Sequence, residues 1–151
     1  MANPMTTLGD KLDLTHRVAL VTGGARGIGL ACCRMLASQG AHVVVADADA
    51  AAARNAAATI MGDGGAAESC AMDVTDEAAV TGSMTDVAAR FGQLDIVVSN
   101  AGTGARRPAE ELPLSDWQRV LDVNLTGGFL VARSAARSML AGRGGTIVFM
   151  S

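Results

Sequence analysis

At 151 residues, half of them hydrophobic but only 3% aromatic, the chain has the length of one domain with an aliphatic core. A net charge of −3 and a pI near 5.2 exclude the basic surface that a nucleic-acid-binding domain normally presents. No apolar run approaches the ~18 residues needed to span a bilayer, and Met1 to Arg17 contain no apolar secretion-signal core. Neither nucleic acid nor membrane is therefore expected as a partner, and a cytoplasmic location is.

Residues 1–15 read as a loosely held tail ahead of one domain over residues 16–151. Strand-like and helix-like segments then alternate. Val18–Val21 is a first strand and Ile28–Gln39 a first helix. Ala41–Ala46 is a second strand, followed by an alanine-rich helix from Ala48 to Met61 with Asp47 or Asp49 as its cap. Gly62-Asp63-Gly64-Gly65 ends that helix. Glu68–Met72 is a weaker third strand, and the next helix opens near Thr75 and Asp76 and stops at Phe91-Gly92. Leu94–Ser99 is the fourth strand.

Ser115-Asp116-Trp117-Gln118 has the capping-box pattern, with serine at the N-cap and glutamine three positions on. The helical pattern continues to Leu140 with a bend expected between Asn124 and Gly128. Gly142 to Gly145 breaks it, and Thr146–Met150 is the fifth strand.

The strands are short, continuous and β-branched, the pattern of strands covered on both faces in a parallel sheet. Strands alternating with long helices predict an α/β, doubly wound (Rossmann) fold. Cys32, Cys33 and Cys70 form no C-x-x-C pair and cannot all pair within one chain, so reduced thiols are expected. Cys32 shares a helical spacing with Ile28, Met35 and Leu36 and reads as core. No metal site is expected.

The most informative segment is Thr22-Gly23-Gly24-Ala25-Arg26-Gly27-Ile28-Gly29, placed between the first strand and the first helix. Glycines let such a turn fold tightly and bring backbone N–H groups close to an anion, and the helix dipole favours negative charge there. Three further candidates sit at strand ends, where ligands bind in open α/β sheets. Asp47 lies 18 positions after Gly29. A carboxylate there accepts from both ribose hydroxyls and repels a 2′-phosphate, which predicts NAD over NADP. Helix capping is the plainer role for it. Arg26 pulls the other way, since a cation in the turn favours a phosphate unless it faces solvent. Asp73-Val74 follows the third strand, where an aspartate either meets the exocyclic amine of adenine or caps the next helix. Asn100-Ala101-Gly102 follows the fourth, where small residues let a ribose or flat ring lie against the backbone, or simply make a turn.

Taken together, Thr22-Gly-x-x-x-Gly-x-Gly, Asp73-Val74, Asn100-Ala101-Gly102 and Val123-Asn124 resemble the short-chain dehydrogenase/reductase family in order and spacing, from about Leu14 onward. The glycine spacing and Asn-Ala-Gly argue against a methyltransferase, which also carries a glycine turn. The resemblance implies hydride transfer between NAD(H) and an alcohol or ketone, in a homo-oligomer (dimer or tetramer). It implies that Gly23, Gly27 and Gly29 shape the turn and that Ile28 offers its N–H to the pyrophosphate. Asp47 would hold the adenosine ribose, Asp73 and Val74 the adenine, and Asn100, Ala101 and Gly102 the nicotinamide side. Asn124 matches the helix-bend asparagine whose backbone carbonyl holds a water in a proton relay, a role compatible with simply stabilising the bend.

Three departures follow. Ser99 stands where the family often has a first asparagine. The fifth strand leads into a Ser-Ser pair in the family, and Ser151 aligns with the first of the two, so the catalytic serine would be the next residue; a one-residue slip would make it Ser151 itself. The Tyr-x-x-x-Lys acid/base motif is not contained in these residues, which include no tyrosine. The expectation is a dinucleotide-binding portion, inactive alone and insoluble or molten because its fifth strand is an apolar edge. The alternative is a non-catalytic binding module. The loop Thr103–Pro113, with Arg106 and Arg107, is expected to border a substrate pocket or to carry a solvated cation pair.

Overall fold

The computed structural model describes residues 13–150. Among the described residues five strands and five α-helices follow one another: β1 (Val18–Thr22), α1 (Gly27–Ser38), β2 (His42–Asp47), α2 (Ala50–Gly62), β3 (Ala66–Ala71), α3 (Glu77–Phe91), β4 (Ile96–Ser99), α4 (Leu114–Leu121), α5 (Gly128–Ala141) and β5 (Thr146–Phe149). A π-helical segment, Asp122–Gly127, joins α4 to α5. The sheet order is β3-β2-β1-β4-β5 and every pairing is parallel. The chain therefore winds outward from β1 in one direction through β2 and β3, then returns and winds the other way through β4 and β5. The switch falls between β1 and β4, and a crevice opens at their carboxyl ends.

Period-two alternation along the strands builds two cores. Val18, Leu20, Val44 and Val97 pack with Val80, Met84, Val131 and Met139 of α3 and α5. Ala19, Val21, Val43 and Val45 pack on the other face with Cys33, Ala37, Ala53 and Ile60 of α1 and α2. Each buried valine or leucine contributes roughly 1.5–3 kcal/mol. At the amino ends, Asp95 joins β1 to β4: it accepts from the Val18 amide at 2.9 Å and from Arg17 Nη1 at 2.8 Å. Of the expected tail, residues 13–15 are described. The Leu14 amide donates to the Gln39 carbonyl at 2.8 Å, and Leu14 packs against the second core.

Four local expectations are corrected. The buried stripe of α1 is Gly29, Cys33 and Ala37, whereas Ile28 and Met35 are exposed and Cys32 is only partly covered. The physical reason is distance: small residues bring the helix backbone close to the sheet, and the bulkier apolar ones are turned away. Ser115 does not cap its helix. Pro113 is the N-cap, and its carbonyl accepts from the Asp116 and Trp117 amides, so Ser115 lies inside the first turn. The third strand starts two positions earlier than Glu68, at Ala66, because the β2 register carries pairing back to His42–Ala66. The fourth starts at Ile96, two positions later than Leu94.

Candidate functional site

The turn after β1 is held open by backbone geometry. Gly23 has φ +60°, a left-handed value that favours glycine. Gly29 sits under it. A methyl group at Gly29 would collide with the Gly23 carbonyl oxygen and lie 2.6 Å from Asn100 Nδ2. Beyond the turn, Gly27 and Ile28 are exposed in the first turn of α1, while Gly29 is buried. Arg26 is the N-cap of that helix, makes no side-chain bond to it, and is followed by no acid in the first turn. The leading N–H groups of α1 thus carry no side-chain cap, which suits an anion.

Thr22 is the linchpin of the switch point, and the sequence reading did not single it out. Its buried hydroxyl oxygen accepts from the Asn100 amide at 2.9 Å and from the Ala101 amide at 3.0 Å. Asn100 returns the tie: its Nδ2 donates to the carbonyls of Thr22 (3.0 Å) and Gly23 (3.1 Å). The glycine turn and the Asn-Ala-Gly turn are therefore one unit. Nothing in the spacing announces this, because the partners lie 78 positions apart.

Asp47, the last residue of β2, faces the same crevice. Its Oδ2 accepts from the Ala25 amide at 3.2 Å and its Oδ1 from the Asp49 amide at 3.0 Å. The capping alternatives resolve at once. Asp49 caps α2 by accepting from the Ala52 amide at 3.0 Å, and Asp76 caps α3 by accepting from the Ala78 and Ala79 amides. Asp73 caps neither helix. Its Oδ1 accepts from the amide and hydroxyl of Thr75, at 2.9 and 2.8 Å.

These residues enclose a cleft of about 500 Å³. Gly23, Arg26, Asp47, Asp73 and Val74 line it, with Asn100, Ala101 and Gly102 along one wall. Ala48, Met72 and Val123 complete it; of these the sequence marks Val123 through the Val123-Asn124 motif, and the other two only as ordinary apolar residues. A second cleft, about 580 Å³, shares the Asn100–Gly102 wall and continues past Thr103 and Asn124 to Phe149 and Met150. Together they form a groove across the carboxyl ends of the strands.

Asn124 lies in the π-helical segment and clasps the second cleft. Its Oδ1 accepts from the Thr103 amide at 2.8 Å, and its Nδ2 donates to the Thr103 carbonyl at 2.9 Å. Arg119 Nη1 adds a bond to the Thr103 hydroxyl at 2.9 Å. In the loop beyond, Arg107 approaches Asp116 at 4.0 Å. Ser151 lies outside the described residues. Among the described residues no group of three or more His, Cys, Asp or Glu side chains is arranged to hold a metal, and no helix is long and apolar enough to cross a membrane.

Residues 17–151 match the family model described as short chain dehydrogenase. D-threitol dehydrogenase of Mycolicibacterium smegmatis is 44% identical over 138 residues, covering 91% of this chain and 53% of that protein. Galactitol 2-dehydrogenase of Agrobacterium fabrum is 39% identical over 141 residues, covering 93% and 54%. A solved NAD+-bound xylitol dehydrogenase superposes with a TM-score of 0.86 at 37% identity, covering 90% of this chain and 53% of that one. The chain spans about half the length of the curated relatives it matches.

Proposed function

The chain belongs to the short-chain dehydrogenase family, and from that premise we propose that it seats NAD(H) for hydride transfer between the cofactor and an alcohol or ketone. The observation that carries this reading is the single unit made by the glycine turn, Thr22 and Asn100, with Asp47 at its rim. The groove has the chemistry a dinucleotide needs. Amides of α1 face the diphosphate position, a carboxylate stands beside the ribose position, and small residues line the wall between the two clefts.

When bound, the cofactor supplies the nicotinamide carbon that gives or takes hydride. The residues of this chain bind and orient it. Gly23, Gly27 and Gly29 set the path of the turn, and Ile28 presents its N–H. Asp47 holds the adenosine ribose and disfavours NADP. Asp73 and Val74 border the adenine. Asn100, Ala101 and Gly102 form the floor on the nicotinamide side. Asn124 fixes Thr103 through its side chain and keeps its own backbone carbonyl available for a water of the proton relay. A tyrosine acid/base would have to come from outside these residues.

The protein acts in the cytoplasm as a homo-oligomer, a dimer or tetramer. Leu125 of the π-helical segment and Phe129 of α5 support the oligomer, being 67% and 58% exposed. A second reading is a cofactor-binding module without chemistry. Reading the coding sequence past Ser151 separates the two: a Tyr-x-x-x-Lys motif supports the enzyme, and an immediate stop codon the module. Calorimetric titration tests the shared core of both. Saturable binding of NAD+, tighter than NADP+, is expected; no heat and no saturation would overturn the reading.

A further inference from the structure

We propose that Asp49, through its ion pair with Arg26, is a second determinant of cofactor choice, set against the 2′-phosphate of NADP(H). The inference rests on the reading of the first cleft as a dinucleotide site. Arg26 lines that cleft, beside Asp47. An arginine so placed is the natural partner of a 2′-phosphate, because its planar fork matches the phosphate oxygens. Here the fork is engaged elsewhere: Nη2 of Arg26 donates to Asp49 Oδ2 at 3.1 Å.

The anchor for that contact is rigid. Asp49 Oδ1 accepts from the Ala52 amide at 3.0 Å, and the Asp49 amide donates to Asp47 Oδ1 at 3.0 Å. One carboxylate thus caps α2 with one oxygen and holds Arg26 with the other. The Ala52 amide, aided by Arg26, keeps the Asp49 carboxyl below its ordinary range, so it is ionised at neutral pH. Losing the Asp49 charge frees the guanidinium for an added phosphate.

The pair is exposed on both sides, at 70% and 51%, and exposed pairs are weak and salt-sensitive. The expected effect is accordingly a shift in preference and not a full switch. Asp49→Asn keeps a capping oxygen and removes the charge; Asp49→Ser does the same with a shorter side chain. Calorimetric titration of each variant at low ionic strength with NAD+ and NADP+ is the test. The affinity ratio NADP+/NAD+ should rise about fivefold or more in both, and the rise should vanish when Arg26→Gln is added. A ratio within about twofold of the unmodified protein overturns the proposal. So does a rise that survives Arg26→Gln, since Arg26 would then have no part in it. Absence of binding by either nucleotide in the unmodified protein is a different failure, which removes the dinucleotide site and the proposal with it.

Discussion

The Asp47 carboxylate accepts the Ala25 amide at 3.2 Å, so the end of β2 and the glycine turn are joined before any ligand arrives. Asp47 therefore shapes the turn as well as facing the cleft. Asp47→Ala should lower NAD+ affinity by roughly tenfold or more, the value of a hydrogen bond to a charged group, with a smaller loss for NADP+. Calorimetric titration reads both. Unchanged NAD+ affinity would remove Asp47 from the ribose position.

Thr22→Val keeps the shape of a buried side chain and deletes the acceptor for two amides, Asn100 and Ala101. Leaving buried donors unpaired should cost about 2 kcal/mol or more of stability. Thr22→Ser, which keeps the oxygen, should lose less. Denaturant midpoints distinguish the two, and an equal loss in Thr22→Ser would mean that the methyl group matters as much as the hydroxyl.

Acid should weaken the fold partly through Glu68. Arg90 grips it with two bonds, at 2.8 and 2.5 Å, and holds its carboxyl below the ordinary range. The folded state then binds this proton less readily than the unfolded state. The contribution is complete above the unfolded value, about 4.3, and is lost as pH falls through the lower folded value. In Arg90→Met the acid side of a plot of stability against pH should be shallower. An identical slope would show that the pair carries no linkage.

Cys33 is fully buried, and burial pushes its thiol up to about 12. Its S–H donates to the Gly24 carbonyl beneath the glycine turn, with the sulfur 3.8 Å away. In the folded protein a thiol reagent should modify Cys32 and Cys70 well before Cys33, because the thiolate is the reactive form. Mass spectrometry of digested protein gives the order. Modification of Cys33 at the pace of the other two would mean that α1 opens readily from the sheet.

The strands were legible because β-branched runs such as Val43–Val45 must be covered on both faces, and the residues at their ends followed from topology alone. Asp47 and Asn100 are singled out in that way. The buried face of α1 is not legible in the same way, since hydrophobicity ranks Ile28 and Met35 above Gly29, whereas the contact with the sheet selects for smallness. Thr22 stayed hidden in the motif because a hydroxyl shows its value only when its distant partners are in place. The bend near Asn124 is legible, but not its π-helical form, nor the Asn124–Thr103 clasp beside it, whose partners lie 21 positions apart.

That π-helical segment sets the phase of everything after it. Each residue of an α-helix turns the chain by about 100°, so the extra residue of a π-turn offsets α5 by that angle relative to α4. Shortening Asp122–Gly127 by one residue would let an unbroken α-helix run through, moving each later residue into the place of the one before it, so that Leu130 turns off the sheet and Phe129 comes round toward it. An aromatic ring would then press into space shaped for aliphatic side chains, and the Asn124 side chain would swing away from the loop it now fastens. The segment is the gear tooth that keeps the inner side of α5 meshed with β4, and a single-residue deletion there should lower the melting temperature far more than a deletion in the loop before α4.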